Sequence, residues 1–112
     1  NKDLVITGGY NVYPKEIETM IDALPEVAES AVVGLPHPDF GEGVTAIVVP
    51  KDGAVIDKAC VLDALSGTLA RYKQPKTVMV VDALPRNVMG KVQKNELRGR
   101  FAGCEQNALS IT

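Results

Sequence analysis

The chain has 112 residues and 46% hydrophobic content, which suits one globular domain built on one core and leaves too little material for two. No apolar run approaches the roughly 18 to 20 residues that span a bilayer, and the N-terminus lacks the zones of a secretory leader, so a soluble, cytoplasmic chain without membrane partners is expected. A net charge of −2 conceals an acidic part, 4 basic and 11 acidic side chains over residues 1–70, and a basic one, 8 against 2 over residues 71–100.

Leu4-Val5-Ile6-Thr7 reads as a short strand that Gly8-Gly9 converts into a loop. Pro14 opens a helix whose apolar stripe is Ile17, Met20, Ile21 and Leu24, and Pro25 stops it. The β-branched stretches 27–33 and 44–49 are expected as strands joined by a structured loop, 34–41, and Lys51-Asp52-Gly53 turns the chain again. Asp57 is an N-cap for a helix that faces Val61, Leu62, Leu65 and Leu69 inward and ends near Arg71. A strand at 77–81, a loop at 84–89 entered through Pro85, and a helix at 94–101 with Leu97 and Phe101 inward complete the pattern. The order predicts an α+β domain over residues 1–102, a small mixed sheet flanked by helices. Residues 103–112 have no packing period and are expected as a frayed or non-native tail. Cys60 and Cys104 fall in no Cys-x-x-Cys or Cys/His cluster, which argues for reduced structural thiols and against a metal site.

A basic stretch within an acidic chain favours a discrete polyanion, a nucleotide or phosphorylated cofactor, over a long nucleic acid; a solvated face fits the charge equally well. Three segments carry candidate chemistry. Gly8-Gly9 with Tyr10 and Asn11 offers bare backbone to a narrow ligand beside stacking and hydrogen-bonding groups, although a tight turn accounts for it as readily. Lys91, after Gly90 on a loop begun by Pro85, can bring a point charge to a phosphate or carboxylate, or can be a solvated loop lysine. It is no Walker loop, because Pro85 and Val92 stand where Gly and Ser or Thr are needed. Arg71, Lys73 and Lys76 surround Tyr72 at an expected helix end, where they either meet phosphates or complement the helix dipole. Gly41-x-Gly43-x-x-Ala46 precedes a strand instead of opening a helix and is set aside, and His37, between two prolines, is given a loop or packing role.

Taken together, Lys2-Asp3, Gly8-Gly9-Tyr10-Asn11-Val12-Tyr13-Pro14 with Glu16-Ile17-Glu18, Gly34-x-Pro36, Tyr72-Lys73-x-Pro75, and Leu84-Pro85-Arg86-Asn87 with Gly90-Lys91 closely resemble the C-terminal domain of the AMP-forming acyl-CoA synthetases. The resemblance covers residues 1 to about 101. Pro36-His37 and Asp39-Phe40-Gly41-Glu42-Gly43 look most like bacterial malonyl-CoA or methylmalonyl-CoA synthetases.

The resemblance implies a mobile lid domain serving two half-reactions. A carboxylic acid substrate attacks the α-phosphate of ATP to give acyl-AMP and pyrophosphate; the thiol of CoA then displaces AMP. Lys91 would be the adenylation lysine, supported by Pro85 and Gly90. Gly8, Gly9, Tyr10 and Asn11 would border the CoA tunnel, Arg71 and Lys73 would contact phosphates, and Lys2 would be the hinge about which the domain turns. Mg²⁺ is expected in the full-length enzyme, and no cofactor is expected to bind tightly to this chain. The resemblance also implies a large N-terminal partner domain carrying the phosphate loop and acyl pocket, inactivity of this chain alone, and acetylation of Lys91 by an acetyltransferase with reversal by a deacetylase. Asn1 near the hinge fits a piece cut at a domain boundary. The reading from another class is a non-catalytic module that binds CoA or a nucleotide through its basic segment.

Overall fold

A computed structural model describes residues 3–102, so the expectations for Lys2, Cys104 and the tail lie outside the described residues. Strand β1, Val5–Thr7, folds back on β2, Tyr10–Val12, in the register Val5↔Val12 and Thr7↔Tyr10. Both residues of the connecting turn have positive φ, +56° at Gly8 and +84° at Gly9, the geometry whose twist matches a two-residue hairpin. The expected loop at 10–12 is therefore a strand, and the Gly-Gly pair that argued for a loop is the hairpin's own signal.

Helix α1, Pro14–Asp22, starts with Pro14 in its first turn and buries Ile17 and Ile21, with Met20 and Leu24 packed beside them as the stripe requires. Strands β3, Val27–His37, and β4, Gly41–Pro50, pair antiparallel along their length. The expected loop at 34–41 is thus mostly strand, narrowed to the turn at 38–40. An edge strand tolerates Pro36, and among the described residues β3 pairs only with β4. Gly34, the other residue that suggested a loop, makes room for a side chain: a Cβ there would lie 2.9 Å from Glu42 Cδ.

Asp57 caps α2, Lys58–Leu65, its carboxylate accepting the Cys60 N–H at 2.8 Å. The helix ends six residues before the expected Arg71, at Ser66-Gly67, where Gly67 opposes continuation. Arg71–Lys73 form a separate 3₁₀ turn, so these cations do not complement the pole of α2. Strand β5, Thr77–Val80, joins β4 in parallel, and α3, Lys94–Phe101, closes the described chain. The sheet runs β2-β1-β4-β3, with β5 also on β4. Its mixed pairing and flanking helices match the expected α+β class.

Alternation along β3 and β4 feeds two cores. Val32, Val44, Ala46 and Val48 pack with α1 and α2; Ala31, Val33, Leu35, Ile47 and Val49 pack with Leu97 of α3. Burial on both faces explains why β4 reads as a continuous apolar run. Among the described residues no helix is long and apolar enough to cross a membrane.

Candidate functional site

Lys91 sits on the loop between β5 and α3. Pro85 begins the narrow part: its carbonyl accepts the Gln93 N–H at 2.9 Å, and Arg86 and Val92 form a single antiparallel bridge. Gly90 takes φ +82°, which lets the chain reverse before Lys91. Lys91 is exposed, and its ammonium enters none of the ion pairs among the described residues. A lysine in this state is a free, mobile charge.

It opens onto a cleft of about 810 Å³ lined also by Asp3, Lys15, Glu18, Lys94 and Arg98. Lys94 pairs with Asp3 and, at 2.6 Å, with Glu18, while Arg98 lies 3.9 Å from Asp3. Glu18 also accepts the Val32 N–H of β3 at 2.8 Å. The two carboxylates are thus spent on Lys94 and Arg98, which leaves Lys15 and Lys91 to make the cleft electropositive. This node ties the chain just after Lys2 to α1, β3 and α3. Spacing gave no hint of it, because Asp3 and Lys94 are 91 residues apart.

The Gly8-Gly9 turn lies against a different hollow, about 190 Å³, lined by Thr7, Gly8, Tyr10, Phe40, Tyr72 and Lys76. The Gly8 N–H donates to the Phe40 carbonyl at 2.9 Å, locking the hairpin to the β3–β4 turn. Tyr10 stacks on Tyr72 with ring centroids 4.6 Å apart, and the Lys76 ammonium lies 4.9 Å from the Phe40 ring centroid. Nothing lies within 4 Å of where a Gly9 Cβ would be, so that backbone is bare. Asn11 is exposed on β2. Glu42 accepts the Ile6 N–H at 2.9 Å and braces β1 from the β4 side.

Of the two expected phosphate contacts, Arg71 is exposed and Lys73 is engaged: its ammonium meets Glu16 at 3.0 Å, and this hydrogen bond raises its pKa above the ordinary 10.5. Lys76, named in the sequence only as one of the cations around Tyr72, and Phe40, not singled out there, complete the aromatic hollow instead. The sequence signal for Lys76 was its place in the basic segment, whereas Phe40 carried none beyond the resemblance. His37 has the packing role expected, its Nδ1 accepting the Asp39 N–H at 3.0 Å and its ring stacked on Phe40. Among the described residues no group of His, Cys, Asp and Glu is arranged to hold a metal ion.

The family of AMP-binding enzyme C-terminal domains matches residues 16–91. Among proteins of known activity, the indoleacetate–CoA ligase of Aromatoleum aromaticum is 47% identical over 97 residues, which are 87% of this chain and 19% of that one. The crystal structure of apo MatB from Rhodopseudomonas palustris superimposes with a TM-score of 0.91 at 65% identity, over 94% of this chain and 21% of MatB. ATP-bound MatB from the same organism gives 0.90 at 64%, over 93% and 21%. The chain therefore spans about a fifth of the proteins it matches. The matched motifs, the fold and these similarities establish that the chain belongs to the AMP-binding enzyme C-terminal domain family.

Proposed function

We propose that this domain acts as the swivelling lid of an ATP-dependent, AMP-forming acyl-CoA synthetase and serves both of its half-reactions. In the first, an acid's carboxylate oxygen bonds to the α-phosphorus of ATP as the bond to pyrophosphate breaks. Lys91 stabilises the negative charge that gathers between carboxylate and phosphate. In the second, the CoA sulfur bonds to the acyl carbon and AMP departs. Gly8 and Gly9 border the path of the thiol arm, where a side chain would obstruct it, and Tyr10 and Asn11 shape that border.

The observation that carries this reading is that the two tools lie on different surfaces: the Lys91 ammonium, in no ion pair among the described residues, on one cleft, and a glycine turn whose Gly8 lines a different hollow and whose Gly9 backbone is bare. One orientation does not serve both, so the domain turns about Lys2 against a large N-terminal domain. The aromatic hollow suits the nucleotide end of CoA, with the stacked Tyr10–Tyr72 pair as an aromatic wall and Lys76 a cation for phosphate; Arg71 adds a second cation, and Lys73 joins by exchanging Glu16 for phosphate. ATP use accords with the ATP-bound relative, and CoA use with the named CoA ligase. The described residues do not fit a Mg²⁺ site, so no step is routed through that ion here. Malonate or methylmalonate is the proposed acid, on the resemblance of residues 36–43. Acetylation of Lys91 would remove the charge and switch off the first step.

In the full-length enzyme, Lys91→Ala should lower acyl-AMP formation by about 100-fold or more while thioester formation from supplied acyl-AMP persists. Equal loss in both assays would refute the assignment.

A further inference from the structure

The loop bearing Lys91 is closed around one side chain. Asn87 Oδ1 accepts the Met89 N–H at 2.9 Å and the Lys91 N–H at 3.0 Å. Only the oxygen of a carboxamide accepts, so this arrangement fixes which way the group points. The Asn87 main chain closes the ring from the other side: its N–H donates to the Lys91 carbonyl at 3.0 Å, and its carbonyl accepts the Gly90 N–H at 2.9 Å. Lys91 is thereby held at both its N–H and its carbonyl by a single residue.

Two further groups brace the ring. Arg86 Nη1 donates to the Gly90 carbonyl at 2.6 Å, while its Nη2 pairs with Glu29 on β3. Gln93 Nε2 donates to the Lys91 carbonyl at 3.0 Å. Packing contributes nothing at the tip, where Val88 and Met89 are almost fully exposed and no atom lies within 4 Å of a Gly90 Cβ. Hydrogen bonds therefore set the shape of this loop, and those of Asn87 are its centre. A long lysine side chain on a drifting loop samples a wide volume; a fixed main chain narrows that volume before substrate arrives.

We infer that Asn87 is a positioning residue for adenylation, presetting the main chain from which Lys91 reaches the reacting charge. The inference rests on the reading of Lys91 proposed above, and its test separates the two. In the full-length enzyme, with malonate and methylmalonate as probe acids, Asn87→Ala should slow acyl-AMP formation by about 10- to 100-fold and leave thioester formation from supplied acyl-AMP close to the parent rate. Asn87→Asp keeps an acceptor oxygen and should restore adenylation to within roughly threefold of the parent; the readout that fold support alone does not predict is a loss in Asn87→Ala confined to the first half-reaction. Adenylation within about twofold of the parent in Asn87→Ala, alongside its loss in Lys91→Ala, overturns the inference and spares the role of Lys91. Equal loss in both half-reactions, with or without rescue by Asn87→Asp, also overturns it. Retained adenylation in Lys91→Ala removes the reading of Lys91 and the inference with it.

Discussion

Gly8 and Gly9 show how one residue type answers two demands. Their positive φ values are required by the hairpin turn, and the lack of a side chain at Gly9 leaves its backbone bare. The sequence offered both bare backbone and a tight turn; the turn is there, but it joins two strands instead of strand and helix. The loop around Lys91 was legible from Pro85 and Gly90, and the lysine itself was singled out by the resemblance, since a solvated loop lysine explained it locally; the hydrogen bonds of Asn87 were not legible, because only the folded loop reveals where its oxygen points. Lys73 is a different case, a charge already satisfied within the domain by Glu16. Because that partner raises the lysine's pKa, the stabilisation is complete below pH 10.5 and disappears as pH climbs through the higher folded value. The stability difference between the parent and Glu16→Gln, measured by urea unfolding, should stay flat from about pH 8 to 10 and shrink above that. A gap that narrows on acidification within that range instead would contradict the pairing.

Elements with strong periods were legible: the α1 stripe, the Asp57 cap and the span of α3 follow from local chemistry alone. Those that failed did so where tertiary pairing overrode composition. Gly34 and Pro36 look like loop residues, yet one is small to admit Glu42 and the other sits on an edge strand. Helix α2 stops early at Ser66-Gly67, and Leu69, inward and buried as expected, reaches the core from beyond the helix. No local pattern could have shown that α3 and α1 are riveted to Asp3 through Lys94. Its side chain is only 19% exposed and Glu18's only 15%, so removing the cation strands a carboxylate in poor solvent contact. Lys94→Met should lower stability by about 1–3 kcal/mol in chemical denaturation. Unfolding midpoints that match the parent would show that the node carries no structural weight.

At the scale of the whole molecule, the cleft and the hollow are built from different ends of the chain's elements. The sheet's hairpin end, β1 and β2, meets the β3–β4 turn and the 3₁₀ turn to build the aromatic hollow. Lys91 arrives from the far side of β5 on a loop that leads into α3, the helix covering the second core. In the swivel proposed above this body turns as a unit, and the ion-pair node at Asp3 would carry that turn to α3 without bending the sheet.

The most direct test places Lys91→Ala and Gly9→Leu side by side in the full-length enzyme and measures acyl-AMP formation and thioester formation for each. Opposite losses are predicted: Lys91→Ala deficient in the first and competent in the second, Gly9→Leu the reverse. Two variants failing in the same step would contradict a single domain that uses two surfaces in turn.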